Sequence, residues 1–212
     1  MCNLYAMTSS QAAIVDLLKI WRDEAGNMPP FSAIYPDYTA PVVTQSSEGR
    51  VLRMMRWGMP TPARVLGNKQ ADKGVTNIRN TASLHWRRWL GIENRCVVPF
   101  TSFSEYYSAP GGRSQPVWFA SPTQGEMLFF AGIWTNWTSV RKVKEGETTN
   151  DLFGFLTAAP NAVVAPYHPK AMPVILRSPE AISHWLTAPT KDALRLQRPF
   201  DHKGLQVIEA PI

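Results

Sequence analysis

The sequence has few cysteines and no long apolar run. Only Cys2 and Cys96 are cysteines among its 212 residues. Two thiols cannot build a disulfide framework, so a reducing compartment is expected. No apolar run approaches the roughly 20 residues that span a bilayer. Asp16 and Lys19 interrupt the first apolar segment, so no secretory signal is expected after Met1. The chain is predicted to be soluble and intracellular.

Aromatic residues, proline and glycine are abundant instead. Eight Trp, nine Phe and six Tyr are too many for a disordered chain, and 18 Pro with 13 Gly indicate short elements joined by turns. The length suits a single domain over residues 1–212. The net charge of +6 and the pI near 9.5 favour a polyanionic partner, either nucleic acid or a membrane surface. Charge alone does not decide, because many ordinary cytosolic proteins are as basic.

Most of the chain after its first forty residues has the short, aromatic, turn-bounded segments that are typical of strands. The predicted strands are Pro41–Thr44, Val51–Trp57, Arg95–Pro99, Phe103–Tyr107, Val117–Ala120, Met127–Trp134, Leu152–Thr157, Pro173–Leu176 and Leu205–Glu209. The segments Ser139–Asp151 and Ala109–Gln115 are polar or Gly-rich and are predicted to be exposed loops.

Helical patterns are shorter and fewer. Ile14, Leu17, Leu18 and Trp21 share one helical face, which predicts an amphipathic helix capped by Ser9 or Ser10 and ending near Gly26. Further helices are predicted at Ala82–Leu90, from Ser178 to Leu186 and at Thr190–Leu196, with a single turn at Asn161–Ala165. Strands and helices do not alternate regularly. We therefore expect an α+β fold with a mostly antiparallel, barrel-like sheet and peripheral short helices.

The second residue carries the most distinctive chemistry. Removal of Met1 would give Cys2 a free α-amine beside its thiol. With a reference pKa of about 7.7–8.0, part of that amine is unprotonated at neutral pH. Such an amine attacks an aldehyde to give an imine, and the thiol then closes a thiazolidine ring at high effective concentration. An open-chain abasic deoxyribose is a fitting aldehyde. The simpler alternative is a Cys2 in a frayed terminus.

Two further residues suit proton transfer. Glu105 lies among aromatic residues, and an apolar pocket raises the pKa of a carboxyl into the range useful for general acid–base catalysis. His168 lies on a loop between Pro166 and Pro169 and could move protons near neutral pH. The alternatives are an exposed strand carboxylate and a surface or capping histidine. No His and Cys spacing indicates a zinc site, so no metal and no cofactor are expected.

Polar and basic residues near the middle of the chain suit a phosphate backbone. Asn77 offers donors and an acceptor, and Arg79 would share its face in an extended segment. Basic and aromatic residues also interleave around Trp57 and in Trp86–Trp89, an arrangement that holds single strands by stacking. The alternative for Trp57 is packing in the core.

These residues occur in an order that resembles the SRAP family, the SOS response-associated peptidase and abasic-site processing proteins. The resemblance runs from Met1 to about Leu186. It rests on Cys2, Trp57-Gly58-Met59-Pro60, Asn77-Ile78-Arg79, Arg95-Cys96-Val97-Val98-Pro99, Glu105, Ala131-Gly132-Ile133-Trp134, Thr157, and His168 ahead of Met172-Pro173.

The resemblance implies an SRAP-like α+β domain whose basic groove leads single-stranded DNA to Cys2. It implies a covalent thiazolidine link to abasic sites in that strand, after the protein removes its own Met1. Cys2 would be the nucleophile, with Asn77, Glu105 and His168 as the other catalytic residues. DNA contacts would come from Arg79, Arg87, Trp57, Pro41, Thr157 and Lys170. A monomer in the cytoplasm of a bacterial or phage-infected cell is expected.

The sequence departs from the family pattern at residues that grip phosphate. Cys-Gly-Arg at the start of family members is Cys2-Asn3-Leu4 here, and the Arg after the histidine is Lys170. Fewer Arg contacts predict weaker phosphate binding and an altered salt dependence. Two alternative functions stay open: a reversible single-strand binder with a degenerate site, and a Cys2-dependent peptidase that acts on other proteins.

Overall fold

A computed structural model of the chain describes residues 2–108 and 111–211. Strands dominate this part of the chain. They are β1 (Leu4–Met7), β2 (Ile20–Asp23), β3 (Phe31–Ile34), β4 (Thr39–Gln45), β5 (Arg50–Trp57), β6 (Asn77–Ile78), β7 (Arg95–Phe100), β8 (Ser102–Ser108), β9 (Ser114–Ala120), β10 (Leu128–Val140), β11 (Glu147–Ala158), β12 (Met172–Pro173), β13 (Ile175–Leu176) and β14 (Gln206–Ile208). The helices are α1 (Gln11–Leu18), α2 (Ala63–Leu66), α3 (Leu84–Arg87), α4 (Pro179–Thr187) and α5 (Thr190–Ala193), with 3-10 turns at Ile92–Asn94, Val143–Glu145, Leu194–Leu196 and His202–Gly204.

Five strands close into a barrel. Strands β5, β4, β7, β10 and β11 pair in that order, each antiparallel to the next. Strand β11 then returns to β5 in parallel, with Leu152 opposite Arg56 and Phe153 opposite Trp57. Closure removes the edges that an open sheet would expose. The predicted α+β fold with a mostly antiparallel, barrel-like core and short peripheral helices is confirmed.

A second sheet covers the barrel and carries the N-terminal residues. Its order is β14, β9, β8, β1, β3, so β1 lies between two partners. All four residues of β1 are buried, because both of its faces are covered. Tyr5 and Met7 enter the main core, whereas Leu4 and Ala6 pack on Trp118. This central position fixes the chain immediately after Cys2.

The core is rich in aromatic contacts. Phe100 and Phe130 stack with ring centroids 3.8 Å apart, and Trp57 stacks on Phe155 at 5.3 Å. Tyr5 meets the Trp57 ring edge-on at 5.1 Å. Each such fully buried side chain contributes about 1.5–3 kcal/mol of transfer free energy. The second sheet is therefore held to the barrel by hydrophobic packing as well as by backbone pairing.

The first helix is shorter than predicted. Ser10 caps α1 by accepting a hydrogen bond from the amide of Ala13, as expected, but the helix ends at Leu18. Lys19 adopts a left-handed conformation with φ of 51°, which stops the helix. Trp21 lies on β2 and is half exposed, so the prediction of a helix continuing towards Gly26 is wrong.

The predicted exposed loop over residues 139–151 is mostly a long hairpin. Strands β10 and β11 pair as far as Val140 opposite Glu147, and Thr138 and Thr149 share a hydroxyl hydrogen bond of 2.7 Å. The Arg141 side chain is fully buried and donates to the Gly58 carbonyl, which draws the hairpin tip onto the barrel. The polar composition that indicated a loop comes from a solvent-facing strand pair.

Other predicted boundaries also shift. Pro173–Leu176 divides into two short strands, Ala82–Leu90 contains only the single-turn helix α3, and Asn161–Ala165 forms hydrogen-bonded turns. In the predicted loop Ala109–Gln115, Ser114 begins β9, while Ala109 and Pro110 lie outside the described residues. Strands β1, β2, β3 and β6 were not predicted. Within residues 2–108 and 111–211, no helix is long and apolar enough to cross a bilayer.

Candidate active site around Cys2

Asn77 holds the backbone of Cys2. Its Nδ2 donates to the Cys2 carbonyl over 2.8 Å, and both residues are buried. The same nitrogen lies 2.8 Å from Thr76 Oγ1, whose hydroxyl donates to Asn3 Oδ1 at 3.3 Å. Strand β6 pairs in parallel with β11, which places Asn77 opposite Phe155. Cys2 is thus fixed to β6, which pairs with the barrel strand β11.

The Cys2 thiol is buried. Its side chain has no exposed surface, and Sγ lies 3.6 Å from the Leu4 carbonyl oxygen, to which the S–H donates. Burial raises the pKa of the Cys2 thiol well above its usual value, and the negative charge of Glu105 raises it further. The thiol is therefore protonated at neutral pH. In the antiparallel pairing of β1 with β8, Leu4 lies opposite Ser104, so Glu105 comes beside the chain just before Leu4, next to Cys2.

Glu105 lies on β8, next to Ser104, which pairs with Leu4 of β1. Only 1% of Glu105 is exposed. Burial raises the pKa of this carboxyl above its usual value, although the neighbouring His168 opposes the rise. A buried carboxyl with a raised pKa can hold and release a proton closer to neutral pH than an exposed one.

His168 faces Glu105 across 4.0 Å, measured from Nε2 to Oε2. On its other side, Nδ1 lies 2.7 Å from the Ala171 carbonyl oxygen. The Ala171 amide also lies 3.3 Å from Nδ1, so the Ala171 backbone holds the ring on this side and Nε2 faces Glu105. The arrangement suits proton exchange between the carboxyl and the imidazole.

The four residues predicted to be catalytic therefore lie together. A hydrogen bond joins Asn77 to Cys2, electrostatic coupling joins Cys2 to Glu105, and a 4.0 Å contact joins Glu105 to His168. Among the described residues, no group of three His, Cys, Asp or Glu side chains could hold a metal ion. The arrangement is suited to nucleophilic addition and proton transfer.

Thr157 is placed on the same side of the barrel as Asn77. Asn77 pairs with Phe155, and side chains two residues apart on a strand share a face, so Thr157 follows Phe155 on that face. Only 1% of Thr157 is exposed. In the described part of the chain, Thr157 Oγ1 and Asn77 Oδ1 are buried without a hydrogen-bond partner. Both atoms are available to a polar ligand.

The charged residues predicted to bind DNA are exposed. Arg79 follows β6 directly, and its carbonyl accepts from Gln197 Nε2 at 2.9 Å. Arg87, at the end of α3, lines an open pocket with Lys191. Lys170 is exposed two residues after His168. Their contacts with DNA stay predictions.

Two apolar residues predicted to contact DNA are buried. Trp57 has no exposed surface, and its indole Nε1 donates to the Thr76 carbonyl at 3.3 Å. Its ring faces are covered within the aromatic core, so the prediction that Trp57 stacks on DNA is wrong. Pro41 is buried in β4 opposite Met54, and its contact with the site stays a prediction.

Residues that position the site were missed by sequence reasoning. Thr76 and Asn3 link β6 to the start of β1, and Ala171 orients His168 through its backbone. The proximity of Thr76 to Asn77 in sequence was the one available signal. The Asn3 contact joins residues 73 positions apart in the sequence, and the Ala171 contact uses a carbonyl that every residue has.

Comparisons with known proteins identify a family and similar folds. A family model described as SOS response associated peptidase (SRAP) matches residues 1–211. The X-ray structure of a protein from Bacteroides thetaiotaomicron has a TM-score of 0.77 at 19% identity, covering 98% of this chain and 92% of its own. A protein from Bordetella bronchiseptica gives 0.73 at 23% identity, with coverages of 98% and 100%. A phage-related protein from the same organism gives 0.67 at 19%, with coverages of 98% and 94%. These likenesses concern the fold. No curated protein matches the chain.

Proposed function

The chain belongs to the SOS response associated peptidase family, whose function is associated with DNA damage, and from this premise we propose that it captures abasic sites in single-stranded DNA covalently through Cys2. Capture follows removal of Met1 by the protein itself, which hydrolyses one peptide bond and frees the α-amine of Cys2. The product is a thiazolidine that joins the protein to C1′ of the opened deoxyribose. We expect a monomer to act in the cytoplasm, without a cofactor.

The reaction needs an aldehyde, an amine and a thiol, and it releases one water. The C1′–O4′ bond of the abasic hemiacetal breaks, O4′ takes a proton, the C1′ hydroxyl loses its proton, and C1′ becomes the aldehyde carbon. The Cys2 amine adds to C1′ and the resulting hydroxyl leaves as water, giving an imine. The Cys2 sulfur then bonds to C1′, its proton is lost, and the nitrogen regains one. Ring closure is intramolecular, so it has a high effective concentration.

Glu105 and His168 supply the proton transfers. Burial raises the pKa of Glu105, which favours its protonated form, so the carboxyl can donate to O4′ and then to the departing hydroxyl. His168 Nε2, 4.0 Å from Glu105, exchanges protons with the carboxyl between these steps. The carboxylate form of Glu105 also accepts the thiol proton when sulfur bonds to C1′. This last role is supported by the electrostatic coupling of Glu105 to Cys2.

Asn77 and Thr157 position the reactants. Asn77 Nδ2 fixes the Cys2 carbonyl, which limits the motion of the amine and thiol. Its Oδ1 and Thr157 Oγ1 have no other partner in the described chain and can bind the hydroxyls of the opened sugar. Arg79, Arg87 and Lys170 hold the phosphates on either side. Leu4 cannot pair with a phosphate as an Arg would, which predicts weaker binding with a smaller salt dependence.

The observation that carries this proposal is the placement of Cys2. Its backbone is bonded to Asn77, and its thiol is coupled to a buried carboxyl that in turn faces a histidine. A reversible DNA binder has no need of a buried acid–base pair beside its second residue.

The test is adduct formation with a defined lesion. A single-stranded oligonucleotide with one uracil, treated with uracil glycosylase, supplies the abasic site. The parent protein should give a band that survives denaturation, and intact mass should show loss of Met1. Cys2→Ser should form no thiazolidine. Cys96→Ala is the matched control, because Cys96 is also a fully buried cysteine but lies in the barrel wall on β7; it should crosslink at the parental rate.

Two outcomes contradict the proposal. One is an adduct of equal yield and stability in the Cys2→Ser variant. The other is a parent protein that has lost Met1 yet binds intact and abasic strands equally and reversibly, which would favour a simple single-strand binder.

A further inference from the structure

Two exposed tyrosines share one turn. Tyr35 is 40% exposed and Tyr38 is 54% exposed, and their rings meet edge-to-face with centroids 5.6 Å apart. Large aromatic rings are usually well buried, so an exposed pair held together is unusual on a surface. The burial of Trp57 leaves the proposed site without the stacking ring that the sequence predicted. The tyrosine pair can fill that role.

The turn lies beside the start of β1. Tyr35 directly follows Ile34, the residue of β3 that pairs with Tyr5, and Tyr5 is three residues after Cys2. In antiparallel pairing, moving forward from Ile34 means moving back along β1 towards Cys2. Tyr35 is therefore close to Leu4 and to the residues that join it to Cys2.

The other end of the turn lies beside the strand that carries Asn77. The carbonyl of Tyr38 accepts from the backbone amide of Trp57 at 2.9 Å. The Trp57 indole in turn donates to the carbonyl of Thr76, which immediately precedes Asn77. The turn thus continues directly into the partner of β1 at one end, and at the other end it is linked through Trp57 to the segment that carries Asn77.

The turn is held in one conformation. Tyr38 N donates to the Tyr35 carbonyl at 3.1 Å. Between the two tyrosines, Asp37 adopts a positive φ of 72°, and its carboxylate binds Arg56 at 2.7 Å and Arg141 at 3.1 Å. Rings carried on such a fixed backbone lose little freedom when a ligand stacks on them.

Charge around the turn favours an anionic ligand. Lys142 lies 3.0 Å from Asp37 and is half exposed, and the exposed Lys144 shares its 3-10 turn. The Lys73 backbone is bonded to the Arg141 guanidinium, which places a further exposed lysine here. With Arg56 and Arg141, these make five cations against the three carboxylates of Asp37, Asp72 and Glu145. Arg56, Arg141 and Lys142 are ion-paired with Asp37 or Glu145, so Lys73 and Lys144 are the cations that would meet a ligand. Aromatic faces beside positive charge are the combination that holds single strands.

We propose that Tyr35 and Tyr38 form a stacking platform for the unpaired bases that flank the lesion in single-stranded DNA. The inference rests on the proposed function for its choice of ligand, but it concerns bases and not the abasic sugar. The platform would hold the neighbouring bases while the sugar without a base enters the site beside Cys2. It would also compensate in part for the inability of Leu4 to bind a phosphate.

The test uses undamaged DNA, so that it does not depend on Cys2 chemistry. Fluorescence anisotropy measures Kd for a labelled single-stranded oligonucleotide and for a strand of equal length in which tetrahydrofuran spacers replace every base. The double variant Tyr35→Ala/Tyr38→Ala should raise Kd for the base-bearing strand by about fivefold or more, since stacking contributes strongly for each base. Kd for the base-free strand should stay within twofold of the parent value.

Two control variants separate stacking from other causes. Tyr35→Phe/Tyr38→Phe keeps both rings and should bind like the parent. Trp21→Ala removes an equally exposed ring on β2, which pairs with the opposite end of β5 from Trp57, and should leave Kd unchanged. A double Ala variant whose Kd for the base-bearing strand stays within twofold of the parent overturns the platform. An equal loss on both strands, or a loss in the Phe variant, also overturns it.

Failure of the platform and failure of the proposed function give different results. If the platform is absent, the parent still forms the Cys2-dependent adduct while the tyrosine variants bind undamaged strands normally. If the proposed chemistry is absent, no adduct forms, yet the base-dependent weakening of binding in the double Ala variant is still measured.

Discussion

Replacing Glu105 with glutamine should slow adduct formation and, at neutral pH, leave the fold as stable as the parent or more stable. Glutamine has nearly the same shape, so the packing of a side chain that is only 1% exposed is kept. The variant removes the titratable proton and the negative charge that acts on the Cys2 thiol. Activity and stability should therefore change in opposite directions.

The expected loss of rate follows from the geometry. Glu105 is the buried carboxyl coupled to Cys2 and lies 4.0 Å from His168. General acid–base catalysis contributes about 10²–10⁴-fold, and since His168 remains as a second proton carrier, we expect a loss of about 100-fold. That corresponds to about 2.7 kcal/mol in the activation free energy.

The effect on stability has a definite sign. Burial raises the pKa of Glu105 in the folded state. A carboxyl with a raised pKa stabilises the fold fully below its unfolded pKa, and this contribution is lost as the pH rises through the folded pKa. As the pH rises through the folded pKa, the parent therefore bears a growing cost of ionising a buried carboxyl, and Glu105→Gln does not. For a protein of this size, each 1 kcal/mol gained raises Tm by about 2–4 °C.

Single-turnover crosslinking across a pH series and thermal denaturation of the same preparations measure both effects. In the parent, the part of the rate that needs protonated Glu105 should decline as the pH rises through its pKa, and the variant should lack that decline. A glutamine variant that crosslinks at the parental rate would refute the role of Glu105. A variant that is inactive with a Tm several degrees lower would show that Glu105 acts on folding instead.

Three further predictions concern the scaffold. Arg95→Lys should lower the free energy of unfolding by about 2–3 kcal/mol in urea denaturation, because the buried Arg95 guanidinium donates to three backbone carbonyls and the Thr190 hydroxyl, which one ammonium cannot replace. Asp37→Asn should destabilise the protein at pH 7 by about 1–3 kcal/mol, since the buried Arg141 loses its carboxylate. The hydrogen bond from Arg56 lowers the pKa of Asp37 to about 2, against the burial that raises it. The difference between parent and Asp37→Asn should therefore be full above the unfolded pKa and disappear as the pH falls through about 2, which acid titration followed by circular dichroism checks. Trp57→Ala should cost about 3–5 kcal/mol of stability, measured by urea denaturation, whereas a surface stacking residue would cost almost nothing.

The barrel was predictable because its strands carry local signals. Segments such as Val51–Trp57 and Arg95–Pro99 are rich in β-branched and aromatic residues and are bounded by turns, and both are strands in the structure. Strand β1 has no such pattern, because both of its faces are buried and alternation disappears. The ring closure between β11 and β5 joins residues almost a hundred positions apart, and single-sequence patterns carry no information on such pairings.

The residue types of the site were predictable, but the contacts that position these residues were not. Cys2, Asn77, Glu105 and His168 were singled out by chemistry and by their order, and the fold brings them together. The error at Trp57 has a physical reason. A tryptophan beside arginines in sequence indicates a stacking surface only if its face is exposed, and in a barrel strand its side chain enters the core while Arg56 points away.

Burial of the Cys2 thiol is compatible with the proposed reaction and limits competing ones. A thiol with a strongly raised pKa supplies little thiolate, and thiolate is the form that oxidants and free electrophiles attack. In the proposed sequence, the sulfur meets its target only after the amine of the same residue has bonded to C1′, so the thiol need not find the electrophile from solution. The sulfur can then reach the imine carbon by closing a five-membered ring. The high effective concentration of this intramolecular step compensates for the scarcity of thiolate. The carboxylate of Glu105, which helps to keep the thiol protonated at rest, is also the base coupled to that thiol when the ring closes. One buried carboxyl can thus keep the thiol protonated before the lesion arrives and deprotonate it afterwards. The selectivity of capture therefore depends on the burial that the second sheet imposes on the start of β1.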